Sequence, residues 1–129
     1  MAKENLLYSK DHEWVRREGD AVVVGVTDYA QHELGDVVFV DLPAAGKELK
    51  KGDPAANIES VKAVSDVYSP VTGKVLETNP KLTDNPELIN QAPLADGWIF
   101  KLSVEQPAEL DELMNLSQYE EYLKGIAGE

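Results

Sequence analysis

Two stretches of this chain repeat one pattern. Leu42-Pro43-Ala44-Ala45-Gly46-Lys47-Glu48-Leu49 and Ser69-Pro70-Val71-Thr72-Gly73-Lys74-Val75-Leu76 share Pro-x-x-Gly-Lys-x-Leu. Proline and glycine at that spacing make a turn, and the residues after it read as a short strand. A match of this length also arises by chance. If the copies are related strand–turn units, they fold about a local two-fold axis, and the segment that joins them lies at a tip.

Lys62 sits in that joining segment, within Glu59-Ser60-Val61-Lys62-Ala63-Val64-Ser65-Asp66-Val67-Tyr68-Ser69-Pro70-Val71-Thr72-Gly73. Strand-like arms flank it, with Ile58 and Val61 before it and Val64 and Val67 after it. Its immediate neighbours, Val61 and Ala63, are too small to cover a long side chain. A lysine at the tip of such a hairpin is expected to be solvated. A nucleophilic or Schiff-base lysine needs its pKa lowered by burial or a neighbouring cation. The nearest ionisable residues, Glu59 and Asp66, are anionic and favour the ammonium. The expected role is therefore a handle for modification, since acylation removes the charge and adds the chemistry of the acyl group.

Composition excludes several other classes. A chain of 129 residues without cysteine forms neither disulfides nor thiolate metal sites, and its two histidines do not make a metal cage. A net charge of −12 argues against nucleic acid and anionic membranes as partners, and favours a soluble monomer steered toward basic surfaces. No apolar run reaches the length of a membrane span, and Met1 to Lys10 has neither a signal peptide's apolar stretch nor a transit peptide's arginines. A bacterial cytoplasmic protein is expected. No long linker divides the chain, so residues 1–129 are expected to form one domain, with a core over about 6–102 and terminal helices over about 107–126.

The order of elements follows from local pattern. Leu6 to Tyr8, Trp14 to Arg17 and Ala21 to Val26 read as strands, the last two joined by Glu18-Gly19-Asp20. Thr27 is an N-cap for a helix over Asp28 to Leu34, stopped by Gly35. Asp36 to Leu42 is apolar on both faces and reads as an interior strand. Lys47 to Leu49, Ala55 to Ser60, Ala63 to Tyr68, Gly73 to Thr78 and Gly97 to Leu102 continue the sheets. Asn85 is expected to cap a helical turn opened by Pro86. In the tail, Leu110, Leu113 and Met114 have helical spacing, as do Tyr119, Tyr122, Leu123 and Ile126, with Ser117 and Glu120 as a capping box.

Other candidate sites are weaker than Lys62. Asp11-His12-Glu13 has the composition of acid–base machinery, and a histidine between carboxylates can titrate near neutrality. No Ser or Cys nucleophile is tied to it, so a polar cluster at a strand edge accounts for it more simply. His32 reads as a surface residue. Gly73-Lys74 lacks the upstream glycine of a phosphate loop.

Several stretches, in order, resemble the glycine cleavage system H protein family. They are His12-Glu13-Trp14, Gly25-Val26-Thr27-Asp28-Tyr29-Ala30-Gln31, the run Leu34 to Pro43, Glu59-Ser60-Val61-Lys62-Ala63, and Gly97-Trp98-Ile99-Phe100-Lys101. Lipoyl domains and biotin carriers share the layout around the lysine. Biotin carriers place Met on both sides, and neither relative has the amino-terminal extension or helical tail. The resemblance implies a mainly β fold, a barrel-sandwich hybrid of two antiparallel sheets with short peripheral helices and a C-terminal helical tail. It implies lipoic acid in amide linkage at Lys62, one per chain, and a carrier with no catalytic residues or metal of its own. The arm would take the aminomethyl group of glycine from glycine decarboxylase to the tetrahydrofolate-dependent aminomethyltransferase, and electrons to dihydrolipoamide dehydrogenase. Glu59 and Gly73 match positions used by lipoate-attaching enzymes. Glu13 and Asp66, with Asp11 as a further member, match polar residues near the docked arm. A lipoate relay outside glycine cleavage and an unmodified interaction module are the alternatives.

Overall fold

Short antiparallel strands dominate the computed structural model, which describes residues 6–127. The strands are β1 (Leu7–Tyr8), β2 (Glu13–Glu18), β3 (Ala21–Val26), β4 (Val37–Asp41), β5 (Glu48–Leu49), β6 (Pro54–Ser60), β7 (Val64–Tyr68), β8 (Gly73–Thr78) and β9 (Phe100–Ser103). They form a six-stranded sheet in the order β1-β2-β3-β9-β8-β5 and a three-stranded sheet in the order β4-β6-β7. Helix α1 (Asp28–Leu34) joins β3 to β4, α2 (Lys81–Asp84) and α3 (Leu88–Gln91) lie between β8 and β9, and α4 (Leu116–Ala127) ends the chain. The expected two-sheet, mainly β architecture is present.

Burial follows strand position. The run Val22-Val23-Val24 is buried because β3 lies between β2 and β9 and is covered on both faces. Val22, Val24 and Val26 face the main core with Ile58, Val75, Ile99, Phe100 and Leu102. Val23 faces a second cluster with Leu6, Tyr8, Trp14 and Tyr119. Trp14 lies opposite Gly25, where a Cβ would come within 2.7 Å of the indole, so glycine there makes room for the ring. The indole N–H donates to Pro93 O at 2.8 Å.

The repeated Pro-x-x-Gly-Lys-x-Leu segments meet each other. Glu48 pairs with Lys74, and Val75 N–H donates to Lys47 O at 2.9 Å. Equivalent residues thus cross-pair, as a local two-fold requires. The β6–β7 hairpin between the two copies carries Lys62 at its tip.

Three expectations need correction and a fourth holds in part. Residues 37–41 are an edge strand, not an interior one: among the described residues β4 pairs only with β6, and Val38 and Phe39 are half-exposed. The register shifts between Val37 and Phe39, and this bulge turns two consecutive apolar side chains outward. Asn85 ends α2, its N–H closing onto Lys81 O, and also precedes the expected turn opened by Pro86, its carbonyl accepting Leu88 N–H at 3.1 Å, while the N-cap of α3 itself is Glu87. Residues 107–112 form a 3₁₀ helix, and Leu113 is extended so that Met114 can bridge to Tyr8. Finally, the capping box of α4 is Asn115 with Gln118, two residues before the expected Ser117 pair. Gln118 N–H donates to Asn115 Oδ1 at 2.8 Å and Asn115 N–H to Gln118 Oε1 at 2.9 Å. In the apolar stripe of α4, Tyr119 is buried and Tyr122 and Leu123 are half-buried; Ile126 lies outside the described side chains.

Candidate functional site

The tip of the β6–β7 hairpin is built by a serine. Glu59 and Val64 are the last paired residues, and Ser60 N–H donates to Ala63 O at 2.8 Å. The Ser60 hydroxyl oxygen accepts from Ala63 N–H at 3.0 Å and Lys62 N–H at 3.3 Å. Val61 and Lys62 are left as the two outermost residues. Val61 N–H donates to Asp36 O at 3.0 Å, which ties the tip to the loop between α1 and β4.

That loop is fixed in turn by Asn90 on α3. Its amide oxygen accepts Val37 N–H at 2.8 Å, and its amide nitrogen donates to Gly35 O at 2.8 Å and Gln31 Oε1 at 3.0 Å. Gly35 has φ 79° and ψ −159°, a region essentially reserved for glycine. A Cβ at Gly35 would lie 3.3 Å from Lys62 Cε, so the lysine stem passes over a residue with no side chain. Thr27 caps α1 as expected, accepting Ala30 N–H at 3.3 Å. Lys62 itself is exposed, and among the described residues no ion pair involves it.

Beside the hairpin lies a cleft of about 310 Å³. Asp11, Glu13 and Asp66 all line it, so three residues expected near the arm share one concavity with α1 and β7. Their environments differ. Asp11 is exposed, and Asp66 is exposed and accepts from Asn57 Nδ2 at 3.0 Å. Glu13 is only 1% exposed, with Oε1 accepting from Ser9 Oγ at 2.7 Å and Oε2 from Tyr68 N–H at 2.9 Å. The second bond gives a partner to an outward N–H on the open edge of β7. Burial pushes the Glu13 carboxyl up to about 7, against those hydrogen bonds, which favour the charged form.

His12 is half-buried, and its environment works against the charged imidazolium. Its pKa is lowered by burial, against the pull of Asp11 and Glu33. Nδ1 lies 2.9 Å from Tyr119 Oη, and the ring packs 4.6 Å from that of Tyr29. The histidine therefore belongs to an aromatic cluster that docks α4.

The two expected lipoylation determinants fall in different sheets. Glu59 is exposed on β6, in register with Phe39 on β4 and Val64 on β7. Gly73 is buried in β8, where a Cβ would stand 1.8 Å from Ser103 O. A glycine is needed there by packing. Sequence reasoning missed Asn90 and the exposed side chains of Val38, Phe39, Val61 and Val64. Asn90 carries no local signal, because its partners lie 53 to 59 residues away in the chain. A larger cavity of about 430 Å³, lined by Tyr8, Thr27, Tyr29, His32, Tyr119 and Leu123 among others, contains none of the expected site residues.

A family model described as glycine cleavage H-protein matches residues 6–126. A glycine cleavage system H protein of Halothermothrix orenii is 53% identical over 123 residues, covering 95% of this chain and 96% of its own. One from Xanthobacter autotrophicus is 55% identical over 120 residues, covering 93% and 96%. The crystal structure of a glycine cleavage system H protein from Mycobacterium marinum superposes with a TM-score of 0.81 at 32% identity, covering 99% of this chain and 100% of that one. Among the described residues, no helix is long and apolar enough to cross a membrane. Matching in sequence and in fold over nearly its whole length, this chain belongs to the glycine cleavage H-protein family, the non-catalytic carriers of a lipoic acid joined covalently to a lysine, which work with the other glycine cleavage components.

Proposed function

We propose that Lys62 is the lysine that carries the lipoic acid. The observation that supports this best is its place as one of the two outermost residues of an anchored hairpin, exposed and, among the described residues, without an ion pair. An amide bond from Nζ to the lipoyl carbonyl discharges the ammonium, and nothing in the fold has to move to admit it. The attached dithiolane supplies the redox and group-carrying chemistry, taking the aminomethyl group of glycine from glycine decarboxylase to the tetrahydrofolate-dependent aminomethyltransferase, and electrons to dihydrolipoamide dehydrogenase.

The chain's own residues hold and present. Ser60 and the Asp36 carbonyl fix the tip, while Gly35 leaves room for the lysine stem. Asp11, Glu13 and Asp66 give the neighbouring cleft an acidic lining suited to a cationic arm end. Glu13, being buried, acts there through its field and through its hold on β7. Glu59 is the recognition contact for lipoate-attaching enzymes, and Gly73 contributes by letting β8 approach Ser103. We place this activity in one domain spanning residues 1–129, a monomer in the bacterial cytoplasm.

Reconstitution with glycine decarboxylase tests the assignment. Lipoylated chain is expected to support decarboxylation of glycine, and Lys62→Arg prepared identically is expected to support none. Activity in the variant equal to the parent would refute the assignment.

A further inference from the structure

One residue joins the acidic cleft to the C-terminal helix. His12 lines the cleft with Asp11, Glu13, Glu33 and Asp66, and among the described lining residues it alone can carry positive charge. It is also the one described non-glycine residue with positive φ, at 66°. It closes a turn in which His12 N–H donates to Ser9 O at 3.2 Å and Ser9 N–H to Glu13 O at 2.9 Å. Glycine takes such a position without steric cost, so the turn by itself does not call for an imidazole. What the ring contributes lies in what it touches.

Its Nδ1 lies 2.9 Å from Tyr119 Oη, which lies 2.8 Å from Thr27 Oγ1, and that oxygen already accepts Ala30 N–H. Counting hydrogens fixes the direction of this chain of bonds. If Thr27 donates to Tyr119 and Tyr119 to Nδ1, both hydroxyl hydrogens have acceptors. If Nδ1 carries a proton, it must donate to Tyr119, Tyr119 must donate to Thr27, and the Thr27 hydroxyl hydrogen is left over. Thr27 is only 2% exposed, and among the described residues its hydroxyl has no other side-chain partner. The second arrangement therefore strands a buried donor. The imidazolium and the Nδ1–H tautomer are both of that second kind.

We propose that His12 is a positioning residue of the arm cleft: Tyr119, reaching in from α4, holds its imidazole neutral with Nδ1 as acceptor, so that the wall between Asp11 and Glu13 sets no positive charge against a cationic arm end. The inference rests on the reading of that cleft as the berth of the loaded arm. Burial also works against the imidazolium, while Asp11 and Glu33 favour it. The other polar groups around the ring are Glu13 beside it in the chain, Tyr29 on α1, Tyr122 on α4 and Asp66 in the same cleft. None of them is a cation, so burial and the Tyr119 hydroxyl together stand against the carboxylates. The C-terminal helix thus belongs to the arm site, although none of its residues lines the cleft.

Two measurements on the full-length chain test this. The first uses the unmodified protein and follows the His12 ring by nitrogen-15 NMR. At pH 7 the proton is expected on Nε2 and not on Nδ1, and Tyr119→Phe is expected to raise the His12 midpoint by about one pH unit, a ten-fold change in proton affinity. A proton on Nδ1 at pH 7, or an unchanged midpoint in Tyr119→Phe, would overturn the proposal. The second uses the lipoylated chain loaded with the aminomethyl group and times the spontaneous loss of that group, with urea unfolding to show that each variant folds. Relative to the parent, Tyr119→Phe should lose it about three-fold faster at pH 5.5, and the difference should shrink toward pH 8, because only the protonated ring repels the arm end. His12→Gly, which relaxes the turn, should lose the group faster at both pH values. His12→Asn, which suits positive φ and offers an uncharged acceptor in place of Nδ1, should restore most of the lifetime. A merely structural histidine would give lifetimes that follow stability, with glycine and asparagine alike and no added pH dependence in Tyr119→Phe; that result overturns the proposal. A parent chain that loses the group as fast as free aminomethyl-dihydrolipoamide would overturn the reading of the cleft itself, and the inference with it.

Discussion

Replacing Glu13 by glutamine separates the cost of a buried charge from the value of its hydrogen bonds. The carboxyl is raised from 4.5 to about 7 in the folded chain. At about 1.4 kcal/mol per pH unit, that difference corresponds to about 3 kcal/mol. Between pH 4.5 and 7 the folded chain holds a proton that the unfolded chain has released. Stability from this group is therefore complete below pH 4.5 and is lost as pH rises through about 7. Glutamine does not titrate, so the unfolding free energy of Glu13→Gln minus that of the parent should rise by about 3 kcal/mol from pH 4.5 to pH 8. A constant offset of about 1 kcal/mol against glutamine is expected. Its amide N–H₂ would face the Ser9 hydroxyl, whose oxygen already accepts Asp11 N–H at 3.2 Å and Glu13 N–H at 3.1 Å. Glutamine should thus be the less stable at pH 4.5 and the more stable at pH 8. Urea unfolding followed by the fluorescence of buried Trp14 measures both. Parallel pH profiles for the two proteins would refute the reasoning.

Other perturbations test the platform under the hairpin. Asn90→Ala removes three hydrogen bonds and strands the buried Val37 N–H, and should cost about 2–4 kcal/mol in chemical denaturation. The same variant should speed hydrogen exchange at Val61, whose N–H donates to the loop that Asn90 holds. Gly73→Ala forces a methyl group against Ser103 O and should destabilise by about 3 kcal/mol or more. It should slow acylation of Lys62 in proportion to the loss of folded protein, which acylation assays alongside circular dichroism resolve.

Much of this architecture could be read from local chemistry. Thr27 and Gly35 bound α1 because capping and left-handed glycine are decided within a few residues. The β6–β7 turn was legible because Lys62 lies between two strand-like arms and two copies of a turn motif. What stayed hidden depends on tertiary neighbours. Val22 to Val24 and Val37 to Val40 have the same apolar character, but β3 has a strand on each side and β4 only one. The sequence does not state that difference, so the edge strand reads as interior. Glu13 is similar: a carboxylate between a histidine and a tryptophan looks exposed until Tyr68, 55 residues away, supplies a donor to its buried oxygen. At the start of α4, Asn115–Gln118 and Ser117–Glu120 are both plausible capping pairs. The bridge from Met114 to Tyr8 fixes the chain just before Asn115, and the helix starts from the first pair.

Mass spectrometry of the peptide containing Lys62, after coexpression of the full chain with a lipoate-attaching enzyme and added lipoate, is the most direct measurement of all. The expected result is one lipoyl group per chain, located on Lys62 and absent from Lys62→Arg. A lipoyl group on another lysine, or one that persists in Lys62→Arg, would contradict it.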